Sequence, residues 1–341
     1  MSVSGRSWGK SPDGEAVYLY TLSDEIIVKI SNYGGTLTSI RSPDHDGVLG
    51  EVVLGFDSLG GYLASPFYHG ATIGRYANRI GGGAINVDDI RYKLPLNDGS
   101  NHLHGGFNGF DKRVWTPEVI DDTSLRLNYT SPDGEEGYPG TLNASVTFTI
   151  DGDQLEVDYL ASTDKPTVVN MTNHSYFNLG SSKTILDHVL WIDSDSYTPL
   201  DAGLIPVGPH EDVKGTPFDF REPARIGSRI GAIHPQLVRG NGYDQNFVLN
   251  QIGNPQITVS EPESGRVLEI STTMPGVQFY TGNFLDGRDI GRGGPLGFRS
   301  GLCLETQYFP DSPNKPEYPS TVLRPREKYI EKTVYRFSVV S

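Results

Sequence analysis

Cysteine is almost missing: Cys303 is the only one in 341 residues. An intrachain disulfide and a cysteine-rich zinc site are therefore both excluded. No stretch approaches the roughly 18 apolar residues of a membrane-spanning helix, and the opening MSVSGRSWGK lacks the apolar centre of a secretory signal. A cytoplasmic location without a membrane partner is the expectation, and on that route the Asn-x-Ser/Thr triplets at Asn128, Asn143, Asn170 and Asn173 carry no weight. Positive charge is scarce as well. Lys and Arg number 28 against 42 Asp and Glu, a net charge of −14 at pH 7, which argues against a nucleic-acid groove or an anionic membrane surface. The same balance disfavours a strongly anionic substrate and favours a neutral or cationic small molecule.

Long amphipathic helices are also missing. Only REPARIGSRI, from Arg221 to Ile230, has helical spacing, and it is short. Without a βαβ rhythm a doubly wound parallel sheet is excluded. What is present is strand-like alternation, in SLRLNYT (Leu125, Leu127, Tyr129), NASVTFTI (Val146, Phe148, Ile150) and QLEVDYL (Leu155, Val157, Tyr159). Between such runs stand the turn signals SPDGEEGYPG, DGDQ and NDGSN. Gly (41) and Pro (23) together make up about 19% of the chain, against an average near 12%, which implies many turns and many short strands. This punctuation is spread evenly, with no repeat or linker. Residues 1–341 therefore read as one all-β domain, a large antiparallel β-sandwich. An apolar fraction of 36% is modest, yet a chain of this length buries a sizeable core.

Four segments interrupt the alternation with polar groups. GRYANRIGGGAI sets Asn78 and Arg79 before the glycines Gly81 to Gly83; taken alone, such an arginine is a solvated charge in a surface turn. NDGSNHLHGGFNGFDKRVW sets His102 and His104 before Gly105 and Gly106. The HLH spacing puts both rings on one face of an extended segment, which suits a metal, but neither HxxxH nor HExxH supports it. Histidines packed and hydrogen-bonded beneath a glycine loop are the preferred reading. TNHSYFNLG alternates like a strand whose face carries Asn170, Thr172, His174 and Tyr176, polar where a strand buried on both faces would be aliphatic. In GLCLETQYFPDSPN, Glu305 follows Leu302 and Leu304 in a run whose other face is core. A buried carboxylate costs several kcal/mol unless it is paired, and a strand that accepts this cost often does so for function. A sheet lined by His, Arg, Asn, Gln and Glu with aromatics between suits a neutral polyhydroxyl ligand, whose hydroxyls need donors and acceptors and whose C–H faces need rings.

These segments resemble the aldose 1-epimerase (galactose mutarotase) family. The likeness runs in collinear order through NYGGTLTSI, VVLGFDSLGGYL, GATIGRYANRI, NHLHGGFNGFDKRVW, TNHSYFNLG, YTPLDAGLIPVG, GTPFDFR, GYDQNFVL, PGVQFYTGNF and GLCLETQYFPDSPN. It implies the large sandwich, or supersandwich, of galactose mutarotase-like proteins. It implies Glu305 as catalytic base and His174 as general acid. It further implies Asn78, Arg79, His104, Asp244 and Gln278 as residues that hold sugar hydroxyls or assist at the ring oxygen. The implied partner is a free aldose such as D-glucose or D-galactose, with no metal or organic cofactor, and the protein is expected as a monomer or weak homodimer. GYDQ departs from the many members with His after the Asp, and Gln245 is expected beside the site, out of contact with the reacting atoms.

Exchange of anomers requires the anomeric hydroxyl to lose a proton while the ring oxygen gains one. With Glu305 as carboxylate and His174 as imidazolium, a bell-shaped pH profile follows, its acid limb set by the glutamate and its alkaline limb by the histidine. Rival readings on the same fold each need a different sign. A glycosidase or lyase needs a second flanking carboxylate. A hexose-6-phosphate 1-epimerase needs added basic residues for the phosphate. A non-catalytic sugar-binding protein needs the acid or base to be missing, and both are present.

Overall fold

In a computed structural model that describes residues 2–340, the chain is built from antiparallel strands. The largest sheet has nine strands in the spatial order Thr116–Val119, Ser124–Ser131, Leu142–Asp151, Gln154–Thr163, Tyr329–Val339, Arg266–Thr272, Ile257–Ser260, Val189–Ile192 and Ala224–Arg225. Its central members follow directly from alternation. In Leu142–Asp151 and Gln154–Thr163 every second side chain is buried, and the two pair in register from Leu142↔Thr163 to Asp151↔Gln154. The hairpin turns at Gly152, where φ is +58°, a left-handed conformation that strains any residue with a Cβ.

Two five-stranded sheets complete the sandwich. One comprises the N-terminal strands from Ser2–Lys10 to Leu49–Glu51 in sequence order. The other runs Glu211–Asp212, Ser196–Tyr197, Asp244–Val248, Gly276–Tyr280, Cys303–Gln307. One buried apolar cluster joins all three, with Val28, Ile30 and Ile40 from the first, Phe247, Val277, Phe279 and Leu304 from the second, and Val146, Phe148, Leu268 and Phe337 from the large sheet.

Two sequence expectations give way. REPARIGSRI is not a helix: Ala224–Arg225 is a short strand and Ile226–Ser228 a single 3₁₀ turn. Ile226 and Ile230 are both buried, which produced the helical spacing, but Pro223 and Gly227 break the segment. The α-helical turns lie elsewhere, at Leu59–Ala64 and Pro235–Gly240. TNHSYFNLG is strand only at Thr172–Asn173, which pairs with Thr72–Ile73. His174 therefore lies just past a strand. Main-chain bonds still hold it on both sides, since its N–H donates to Ala71 and its carbonyl accepts from Gly70. Three residues on, Phe177 exchanges main-chain bonds with Leu302, at the head of the strand bearing Glu305.

Candidate active site

The strand register of the second five-stranded sheet aligns two rows of side chains, from which Asp244, Tyr280 and Glu305 reach the cavity. Asn246, Gln278 and Glu305 stand opposite one another in one row, and Asp244, Tyr280 and Cys303 in the next. Because side chains alternate along a strand, these rows face away from the core that holds Phe247, Val277, Phe279 and Leu304. Each of those four apolar side chains contributes roughly 1.5–3 kcal/mol by its burial. Together they outweigh the several kcal/mol that a buried carboxylate costs, so the core dictates where Glu305 stands.

Loops supply the walls. Tyr68, Asn78 and His104 all have positive φ, +57°, +63° and +51°, a conformation rare for residues with side chains and concentrated at functional sites. Asn78 and His104 lock each other: the Asn78 N–H donates to His104 Nδ1 (3.2 Å) and the His104 N–H donates to the Asn78 carbonyl (3.1 Å). Arg79 is not a solvated surface charge. Its Nε donates to Asp98 at 2.7 Å, with only 12% of its side chain exposed.

A cavity of about 110 Å³ is enclosed by Asn78, Arg79, His104, His174, Asp244 and Glu305, with Tyr68, Tyr176, Tyr280 and Phe284 among the surrounding rings. Six of the seven residues singled out from the sequence thus meet in one place. The seventh, Gln278, stands outside this wall and reaches the site through Asp244, whose Oδ1 accepts from its Nε2 at 2.7 Å. Gln245 keeps away, with its amide donating to the Gln236 carbonyl. His102 faces elsewhere, bonded to the Pro95 carbonyl and the Tyr138 hydroxyl, so the two histidines of HLH do not share a face: the left-handed turn at His104 separates them. An aromatic lining was expected and Tyr176 was placed in it, whereas Tyr68, Tyr280, Phe284 and Asp98 were not singled out. Tyr280 was readable, two residues after Gln278 on the same face; Tyr68 and Asp98 lie in loops without periodicity. A larger cavity, about 460 Å³, is lined by Glu51, Lys183, Arg292 and others and gathers no imidazole. The guanidinium there is already taken by Glu51 and Asp57.

Within the smaller cavity, His174 Nε2 lies 3.8 Å from Glu305 Oε1. Burial pushes the Glu305 carboxyl well above the usual range, the neighbouring Asp244 pushes it the same way, and Arg79 opposes both. Burial likewise raises Asp244, against Arg79 and the Gln278 hydrogen bond. The imidazole of His174 is depressed to about 3, chiefly by burial, and His104 is held well below its ordinary value by burial, His174 and Arg79. This differs from the sequence expectation of an ionised Glu305 beside a protonated His174. A proton shared by the pair rests on the carboxyl in the ligand-free site, because a neutral acid and a neutral imidazole cost less to bury than two charges.

His104, His174 and Glu305 offer donor atoms within 4.8 Å of one another, a set that a divalent ion could use. The hydrogen bonding does not suit one. His104 Nδ1 accepts the Asn78 N–H, so the neutral ring carries its own proton on Nε2, the atom a metal would need bare. The arrangement instead offers one hydrogen-bond donor, one acid–base pair, and an Asp–Arg pair among aromatic faces.

A model of the family described as aldose 1-epimerase matches residues 18–336. The galactose mutarotase of Rattus norvegicus is 46% identical, with 99% of each chain covered, and that of Homo sapiens is 45% identical over the same share. A crystal structure of galactose 1-epimerase from Lactobacillus acidophilus NCFM superposes with a TM-score of 0.89 at 30% identity, covering 100% of both chains.

Proposed function

The chain belongs to the aldose 1-epimerase family, and from this we propose how it interconverts the α and β anomers of hexoses: Glu305 and His174 move the two protons, while Asn78, Arg79, His104 and Asp244 hold the sugar. The observation that carries this reading is the 3.8 Å approach of His174 Nε2 to Glu305 Oε1 in a cavity lined by polar side chains and aromatic rings. The anomeric oxygen and the ring oxygen are both bonded to C1, so the groups that serve them must lie close together without being locked in a hydrogen bond.

Ring opening starts with Glu305 as carboxylate and His174 as imidazolium. Glu305 takes the proton of the anomeric hydroxyl, the C1–O1 bond gains double-bond character, the C1–O5 bond breaks, and O5 receives the proton from His174 Nε2. The products are the open-chain aldehyde, a protonated Glu305 and a neutral His174. This is the protonation state that burial favours, so the pocket's electrostatics support the open-chain intermediate. Rotation about C1–C2 presents the other carbonyl face, and closure reverses both transfers. Arg79 favours the ionised Glu305 that the next opening needs.

Asp244 and the Nε2–H of His104 complement sugar hydroxyls, and the tyrosine faces complement its C–H surfaces. A phosphorylated hexose is disfavoured, because the cation lining the cavity, Arg79, is already paired with Asp98 beside two carboxyls. A lone, buried thiol is compatible with a cytoplasmic setting, and no helix among the described residues is long and apolar enough to cross a membrane. Polarimetry of freshly dissolved α-D-glucose and α-D-galactose with and without the protein tests activity and preference together. No acceleration with either sugar defeats the reading.

A further inference from the structure

The two imidazoles in the cavity differ in what their Nδ1 atoms meet. His104 Nδ1 accepts a main-chain N–H, from Asn78, so that ring is a permanent Nε2–H donor. His174 Nδ1 meets no main-chain N–H among the described residues. Its hydrogen-bond neighbour is the sulfur of Cys303 at 3.6 Å.

The difference matters because a neutral imidazole exists in two tautomers and only one can shuttle a proton through Nε2. A ring that donates from Nε2 and later takes the proton back must keep its other proton on Nδ1 throughout. The opposite tautomer would have to become an imidazolate to donate. Cys303 is wholly buried and stands two residues before Glu305 on the same strand and the same face. Burial, Glu305 and Asp244 keep its thiol protonated, so its sulfur is neutral and has a lone pair that can accept while its own S–H turns elsewhere. A carboxyl in that place would add a third acid beside Glu305 and Asp244; a thiol can accept the N–H without doing so.

We propose that Cys303 is a positioning residue whose sulfur accepts the Nδ1–H of His174 and thereby keeps Nε2 of the neutral ring free to receive and return the proton. This rests on the assignment of His174 as the proton shuttle. Long-range proton–nitrogen correlation spectra of the uniformly ¹⁵N-labelled, ligand-free protein near neutral pH read the tautomer of each ring directly, with His104→Asn and His174→Asn assigning the two signals. The expected result is His104 protonated on Nε2 and His174 protonated on Nδ1. In Cys303→Ala the Nδ1–H population of His174 falls and kcat drops by about 2- to 10-fold, the worth of one neutral hydrogen bond, while KM stays near the parent value. Cys303→Ser restores an oxygen acceptor and returns kcat to within about threefold of the parent.

A parent protein with His174 protonated on Nε2 overturns the proposal, as does a Cys303→Ala variant with unchanged tautomer and kcat. If the alanine variant does not fold, the parent spectrum together with the serine variant decides. An active His174→Asn variant would instead remove the shuttle assignment itself, an outcome separate from the tautomer in the spectrum.

Discussion

His174 Nε2 and Glu305 Oε1 stand 3.8 Å apart, just beyond hydrogen-bond reach, with each side chain at least 95% buried. Two titratable groups this close share their protons, and their behaviour with pH belongs to the pair.

Replacing Glu305 with Gln keeps size and shape but removes the proton acceptor. General-base catalysis is worth about 10²- to 10⁴-fold, so kcat should fall by that factor, roughly 3–5 kcal/mol in barrier, with a much smaller change in KM. Because the carboxyl is already driven toward its neutral form by burial, the thermal midpoint should hold or rise slightly. Stopped polarimetry and calorimetry on one preparation check both; a destabilised but active variant contradicts the assignment.

The pH profile of kcat/KM should be bell-shaped, with its limbs assigned opposite to the sequence expectation. Activity requires one proton on the pair. The alkaline limb is the loss of that proton from the raised Glu305 carboxyl, and the acid limb is the gain of a second proton by His174, depressed to about 3. Arg79 lowers Glu305, so Arg79→Met should move the alkaline limb to higher pH while raising KM. An alkaline limb that stays put or moves down would show that the carboxyl does not set it.

The hydrogen bond from Gln278 Nε2 to Asp244 Oδ1 predicts that Gln278 acts through Asp244. Asp244→Ala should raise KM strongly, Gln278→Ala more modestly, and the double variant should resemble Asp244→Ala alone, because a shared contact is non-additive. Strict additivity of the two effects in the double-mutant cycle would place Gln278 in direct contact with the ligand.

Acid should destabilise the fold through buried imidazoles other than His174. His69 and His188 are each depressed by burial to about 4. For a depressed group the stabilising contribution is complete above the unfolded value, near 6.5, and disappears as pH falls toward the folded value. Each ring therefore accounts for about 3 kcal/mol lost between roughly pH 6.5 and 4. His69 sits among Phe56, Phe67 and Tyr176, so His69→Leu should flatten this dependence in urea titrations at pH 7.5 and 5. An unchanged slope would mean that the ring is already charged in the folded state.

Chelation should leave activity intact, since the tautomer that Asn78 imposes on His104 spoils the one three-donor cluster among the described residues. Activity lost in EDTA and restored by a divalent ion would reverse that conclusion.

Much of this was legible in the sequence where period and packing agree. The strands Ser124–Ser131, Leu142–Asp151 and Gln154–Thr163 alternate because one face meets the core, and Glu305 was found because a carboxylate breaks that rule. What stayed hidden depends on backbone direction. The left-handed turn at His104 parts it from His102, and the early end of the Thr172–Asn173 strand leaves His174 on irregular chain; neither leaves a mark in apolar spacing. The pair Arg79–Asp98 joins a recognised segment to a turn of no distinctive composition. The protonation of the acid and base was also out of reach, since it depends on how completely the site excludes water.

The antiparallel register that sets Gln278 opposite Glu305 has a further consequence for how a preparation of this protein should be judged. Side chains change faces at every residue, so a slip of the strand Cys303–Gln307 by one position would aim Leu304 or Thr306 into the cavity and drive Glu305 into the apolar interior. Misregistered molecules would lose catalysis and core packing in the same step. Specific activity is then a gauge of strand alignment, because a molecule whose strand Cys303–Gln307 has closed in the wrong frame contributes protein without contributing turnover.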